Sequence, residues 1–256
     1  MSLKYVFIVL TGILLFFVLY PIFNLIITND FFLFLEAIKD IKILRAILLS
    51  FECALYATIC AFVFGIPFAY IVSRYNFFGR DVLISIINIP IIIPHPVAGI
   101  ALLTAFTKNT LLGSFFYSLG ISILDNKLGI TLGMFFVSAP FFVNSAIVGF
   151  SSFDERIEKT ARTLGANFFQ TFFRISIPLS KDALVKGSIM MWARGISEFG
   201  AVVVIAYHPI TSAVLIFDRF NSFGLTYSKP IASLLILISI AILLIIITCV
   251  KDNKFK

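Results

Sequence analysis

Residues 160–178 read TARTLGANFFQTFFRISIP, and they lie in a stretch, Ser151 to Lys186, that holds ten of the chain's 33 charged residues (20 Lys and Arg plus 13 Asp and Glu). This is the one place where a largely apolar chain concentrates its charge, so its local structure is the first question. The residues predict a helix, a sharp turn and a second helix. The first helix ends near Leu164, where Gly165 is free to take a left-handed conformation. Asn167 caps a helix starting at Phe168. Phe168, Phe169, Phe172 and Phe173 then recur at i, i+1, i+4 and i+5, which stacks four rings on one side and leaves Gln170, Thr171 and Arg174 on the other. Pro178 is expected to stop this helix and Ser180 to cap the next. Such an aromatic ridge either packs under the rest of the molecule or offers a docking surface to another protein, and the residues alone leave both open.

The surroundings are those of a membrane protein. Hydrophobic residues make up 60% of the 256 positions and charged ones 13%, with a mean hydropathy of +1.07; a soluble domain carries about 25% charged residues. Six apolar runs are long enough to cross a bilayer, which takes about 20 helical residues. They run from Leu3 to Ile27, Ala46 to Val72, Val82 to Phe106, Leu128 to Phe150, Gly187 to Tyr207 and Ile231 to Val250. Only helices or closed barrels satisfy the backbone inside lipid, and runs without two-residue alternation predict helices. The expectation is an all-α integral membrane protein, residues 1–256 forming a single transmembrane domain. The first run lacks a small-residue cleavage site and reads as a retained helix.

Basic residues set the orientation. With the N-terminus inside, Arg156, Lys159, Arg162, Arg174, Lys181 and Lys186 of the loop between the fourth and fifth spans share the cytoplasmic side with Lys4, Arg74, Arg80, Lys251, Lys254 and Lys256. That side then carries the larger share of the basic residues, so the loop and both termini are expected in the cytoplasm. The net charge of +7 is thereby a topological signal and not a nucleic-acid patch. On the outer side, Asn29 to Leu44 mixes Phe31, Phe32, Phe34 and Leu35 with Glu36, Lys39 and Asp40, and reads as a short helix lying at the interface.

The spacing Ala161, Gly165, nine residues, Ile175, one residue, Ile177, Pro178 resembles the cytoplasmic loop that marks permease subunits of ABC importers. Lys159 stands where that loop usually has a glutamate, with Glu158 beside it; Thr160 replaces an alanine and Ile177 a leucine. GIPFAYIVSRY (65–75), IPIIIPHPVAGIALL (89–103) and ARGISEFGA (193–201) extend the likeness to the molybdate and tungstate permeases, and AVLIFDRFNSFGLTYSKPIASLL (213–235) to the tungstate-type branch. The resemblance implies a type I ABC importer permease fold, with six spans per chain and two copies enclosing one path. It also implies a cytoplasmic ATPase dimer whose groove receives Glu158, Ala161, Arg162, Leu164, Gly165, Ala166, Phe168, Phe169, Phe172 and Phe173. An external binding protein delivers the oxyanion, with sulfate as the alternative cargo. The chain needs no cofactor of its own, ATP and Mg belonging to the partner ATPase. The residues agree with this division, because no GxxxxGK[ST] phosphate loop is present.

Polar residues within the apolar runs are the candidates for a path or gate. Arg194 and Glu198 stand four apart on one helix face near mid-membrane, where a lone charge costs at least about 2.5–3.5 kcal/mol. They pair with each other or with neighbouring spans, as part of a gate or as a structural clamp. Pro90, Pro94 and Pro96 predict a broken third helix whose freed carbonyls need protein or water. His95, between two of these prolines, either contacts an oxyanion or packs; Gly200 completes this candidate group. Glu52 calls for a partner in another helix. Cys53, Cys60 and Cys249 are expected as free thiols, and His95 and His208 are too isolated to form a metal site. A secondary transporter would use Glu52 and Glu198 for ion coupling and show an inverted repeat. An intramembrane enzyme would need a Ser-Lys, HExxH or paired-Asp set. Neither signature is evident.

Overall fold

The computed structural model describes residues 3–252, and every regular element among them is helical. The first apolar run is α1 (Leu3–Ile27), none of whose side chains is buried within the chain. The expected interfacial helix is α2 (Phe31–Lys39), started by the Asp30 carboxylate, which accepts from the Phe32 and Leu33 N–H groups at 2.9 and 3.1 Å. Asp40 repeats the device 2.8 Å from the Lys42 N–H. That cap is why α3 (Ile41–Arg74) begins before the apolar run does. The third run is broken as its prolines predict: α4 (Arg80–Ile92) and α5 (His95–Phe106) meet at 111°. Pro94 forces Ile93 into extended backbone (φ −76°, ψ 143°), which ends α4. A short α6 (Leu111–Ser118) leads to α7 (Lys127–Ser151), capped by Asn126.

Beyond α7 lie α8 (Arg156–Thr163), α9 (Phe168–Thr171), a π turn (Phe172–Ser176), α10 (Ile177–Ile196), α11 (Gly200–Ile205), α12 (Ser212–Phe223) and α13 (Leu225–Asp252). Three expectations are corrected here. Pro178 does not stop the helix. The Ile177 N–H reaches back five residues to the Phe172 carbonyl, and this widened turn takes up the missing proline donor so that α10 follows without interruption. Ser180 is accordingly buried inside α10 and caps nothing. The fifth run, Gly187 to Tyr207, is not one helix either. It breaks at Ser197–Phe199, because the Glu198 Oε1 accepts from the Ala201 N–H at 2.9 Å and starts α11.

Four helices among the described residues are long and apolar enough to cross a membrane: α1, α3, α7 and the Leu225–Ile246 part of α13. The bent α4–α5 pair makes five if it counts as one broken span. Cys53 and Cys60 are free. Lys254 and Lys256 lie outside the described residues, as do the side chains of Cys249 and Lys251.

The chain forms two compact units. In the unit Leu48–Val214, α7 is the spine, burying Ile130, Met134, Phe142 and Phe150. Glycines set its approach to α10: a Cβ on Gly149 would stand 2.7 Å from Ala183 Cβ, and one on Gly187 2.7 Å from Ser145 Cβ. Ser145 Oγ donates to the Ala183 carbonyl at 2.7 Å across the same contact. Close backbone approach of this kind holds helices together where lipid offers no hydrophobic driving force. Asn144 donates to Asn88 Oδ1 at 2.6 Å and joins α7 to α4. In the second unit, built from the segments up to Ile47 and from Leu215, Asn29 Nδ2 donates to Ser233 Oγ of α13 at 2.6 Å.

Candidate functional site

The charged stretch folds as a helix, a turn and a helix. At the end of α8, Gly165 adopts φ +93°. The Gly165 N–H bonds to the Arg162 carbonyl and the Ala166 N–H to the Ala161 carbonyl, both at 3.0 Å, closing a Schellman turn that needs the left-handed residue. Asn167 then caps α9 through a reciprocal pair: its Oδ1 accepts from the Gln170 N–H at 2.8 Å and its own N–H donates to Gln170 Oε1 at 2.9 Å. Arg162 spans the turn, its guanidinium carbon 5.5 Å from the centre of the Phe168 ring.

The four-ring ridge divides in two. Phe168 and Phe172 stack at 6.1 Å and both set their planes edge-on to Tyr70 of α3, while Phe172 also stacks on the buried Phe150 at 6.4 Å. Phe169 and Phe173, four apart on the adjoining stripe, point outward with Leu164, which is 84% exposed. Packing against the rest of the molecule therefore holds for Phe172 and one side of Phe168, while Phe169 and Phe173 stay exposed. The cause is the 100° step of a helix, which turns neighbouring positions to different faces.

Glu158 does not face outward with the rest of α8. It is buried, and its carboxylate accepts from Arg74 Nε at 3.1 Å, Tyr70 Oη at 3.2 Å and Ser176 Oγ at 2.7 Å. One acidic side chain thus fastens α8 to the end of α3 and to the π turn. Its neighbour Lys159 is exposed and pairs with Glu155 one turn earlier. Tyr70, Arg74 and Ser176 are functional candidates that the sequence reading did not single out. A signal was available in Tyr70 and Arg74, polar residues four apart on one face at the end of an apolar helix.

The second polar site lies where two helices break. Arg194, near the end of α10, holds Nη2 3.0 Å from Glu198 Oε2, and His95 Nδ1, at the start of α5, is 2.9 Å from the same oxygen. Arg194 Nη2 is also 2.7 Å from His95 Nδ1. Glu198 is 1% exposed, whereas the Arg194 and His95 side chains are 23% and 37% exposed. Glycines permit this convergence. A Cβ on Gly200 would stand 2.7 Å from His95 Cβ, and one on Gly99 2.7 Å from the Ala201 carbonyl oxygen. Pro94 and Pro96 frame His95 on the α5 side. The pairing of Arg194 with Glu198 is as expected; His95 joins them through its ring instead of packing against apolar neighbours.

Glu52 has its partner on another helix. Lys127, the first residue of α7, reaches its two oxygens at 3.0 and 2.8 Å, and Tyr56 donates to it at 3.0 Å.

The α4–α5 and α10–α11 breaks thus face each other, beside the helix–turn–helix of α8 and α9. The chain belongs to the family described as binding-protein-dependent transport system inner membrane component, whose model matches residues 61–252. It is 40% identical over 244 residues to the molybdate/tungstate transport system permease protein WtpB of Pyrococcus furiosus, covering 94% of this chain and 92% of that one. To the protein of the same name from Methanocaldococcus jannaschii it is 41% identical over 214 residues, 81% of this chain and 82% of the other. Its fold is that of ABC importer permeases. The bacterial alginate ABC transporter, in complex with an alginate-bound periplasmic protein, matches with a TM-score of 0.73 at 16% identity, covering 95% of this chain and 92% of that one.

Proposed function

We propose that this chain is the permease subunit of an ATP-driven importer that moves a tetrahedral oxyanion, tungstate or molybdate, into the cytoplasm. In this reading α4–α5 serve as the third and α10–α11 as the fifth of six spans, so that residues 1–256 form one permease domain. The termini and the α8–α9 element lie in the cytoplasm, and two copies of the chain enclose one path. An ATPase dimer supplies the energy, carrying ATP and Mg, and an external binding protein supplies the cargo; the permease itself carries no cofactor. Pro94, His95, Pro96, Arg194, Glu198 and Gly200 lie along the path or its gate.

The observation that carries the reading is the α8–α9 element. Leu164, Phe169 and Phe173 are exposed on a turn whose other side is fastened by Glu158 to the end of α3 and to the π turn that leads into α10. A partner gripping the exposed side moves two membrane helices directly. Nucleotide-driven closure of the ATPase shifts the α8–α9 elements, and the spans tilt between inward- and outward-open states. Each state is selected by its contact energy with the nucleotide-bound or free ATPase.

The test is reconstitution in liposomes with the ATPase and the binding protein. Hydrolysis stimulated by loaded binding protein and matched by tungstate uptake supports the reading, and parallel runs with molybdate and sulfate fix the cargo. Uptake without any ATPase, driven by an ion gradient, overturns it.

A further inference from the structure

We propose that Arg194 is a transient contact for the passing oxyanion, and that Glu198 is its resting counter-ion, keeping the contact weak. This rests on the importer reading above.

Three features of the helix-break cluster carry the idea. First, Arg194 and His95 are partly exposed while Glu198 is not, so the cluster turns its cationic and imidazole groups toward the open side and its carboxylate inward. Second, Glu198 does not depend on Arg194 alone. If the guanidinium swings away, Oε1 keeps the Ala201 N–H at 2.9 Å, while Oε2, which makes no hydrogen bond to Arg194 either, still has His95 Nδ1 2.9 Å away. Arg194 can therefore exchange partners without costing the buried carboxylate a hydrogen bond. Third, the helices packed around the cluster carry few other charges: Glu52 of α3, the helix whose Ala54 faces Gly195, is held by Lys127, and Lys181, Asp182 and Lys186 of α10 lie two or more turns before Arg194. Helices α5, α6 and α11 carry no Asp, Glu, Lys or Arg, α7 carries only Lys127, which is held by Glu52, and α4 carries only Arg80 and Asp81 in its first turn.

A guanidinium with two parallel donors suits a tetrahedral dianion. A fully free arginine would bind such an ion too firmly for transit, since conduction requires a site that releases as readily as it captures. Glu198 supplies the opposing charge. The anion has to compete with it for Arg194, and once bound feels its repulsion across a few ångströms.

The experiment uses the permease assembled with its ATPase in nanodiscs. Trp192, the only tryptophan of this chain, lies two residues before Arg194 on α10, with its indole Nε1 donating to the Phe51 carbonyl at 3.3 Å. Its emission is followed during titration with tungstate, and the W192F complex supplies the background of the partner subunits. The wild-type complex is expected to show a weak, saturable response. The isosteric change Glu198→Gln, which retains an acceptor for the Ala201 N–H, should tighten it on the order of tenfold and slow ATP-driven uptake. Arg194→Lys should weaken the response and Arg194→Gln abolish it. Tightening is the outcome a purely structural clamp does not produce. An E198Q affinity equal to or weaker than wild type overturns the proposal, as does the absence of a saturable wild-type response up to millimolar tungstate. Normal uptake by R194Q removes this site and leaves the importer reading standing, whereas failure of the wild-type assembly to take up any oxyanion with ATP removes the importer reading itself.

Discussion

Arg74 Nε stands 3.1 Å from Glu158 Oε1, joining the last residue of α3 to the first turn of α8, with both side chains buried. A buried pair is costly to break from one side, about 3–5 kcal/mol, because the remaining charge is left without its partner. Glu158→Ala should therefore lower the thermal unfolding temperature in detergent and detach ATP hydrolysis from uptake. Glu158→Gln keeps one acceptor oxygen, in place for Ser176 and Arg74, and should do less on both counts. Wild-type stability and coupling in E158A would show that the pair fastens nothing.

Gly165 tests the turn itself. At φ +93°, with nothing within 4 Å of an added Cβ, Gly165→Ala meets only the conformational cost of a left-handed residue, about 1–2 kcal/mol. Gly165→Pro excludes that conformation. It should leave membrane insertion intact and ATP hydrolysis running while uptake falls away, read as anions imported per ATP. Normal transport by G165P would disprove the turn's role in coupling.

The divided aromatic ridge gives a pair of opposed expectations. Replacing Phe169 and Phe173 by alanine should weaken capture of the ATPase without changing the permease's thermal stability. Phe172→Ala removes a ring packed on Tyr70 and Phe150 and should destabilise the permease by about 3 kcal/mol or more. Equal effects from both sets would mean that the two stripes share one role.

Glu52 and Lys127 form an exposed ion pair, of the kind worth about 1 kcal/mol or less. Glu52→Gln should leave both stability and ATP-driven uptake near wild type. Loss of uptake in E52Q, with a dependence on an imposed ion gradient, would favour ion-coupled transport instead.

Local chemistry was legible in the sequence wherever the deciding contacts lie a few residues apart. The Asn167–Gln170 cap, the left-handed Gly165, the Pro94 break and the length of α1 all follow from neighbours along the chain. What stayed hidden depends on distant positions. Glu158 turns inward because Tyr70 and Arg74, 88 and 84 positions earlier, wait for it, and no pattern within α8 records that. The break at Ser197–Phe199 was masked by its own apolar surroundings. It carries no proline, and it forms because Glu198 caps α11 while Gly200 lets His95 and Pro96 come close. The path of the chain past Pro178 escaped for a related reason, since proline signals a missing donor but not the widened turn that absorbs the loss.

That widened turn, Phe172–Ser176, also sets the clock of the helix after it. A π turn holds one residue more than an α turn would, and one residue is about 100° of rotation. The azimuth of all of α10 is thus fixed at its root: the side that meets α7 through Gly187 and the side from which Arg194 reaches His95 both inherit their bearing from one surplus position. Deleting a single residue there would leave the composition of α10 untouched and swing Arg194 away from the helix break by roughly a quarter turn.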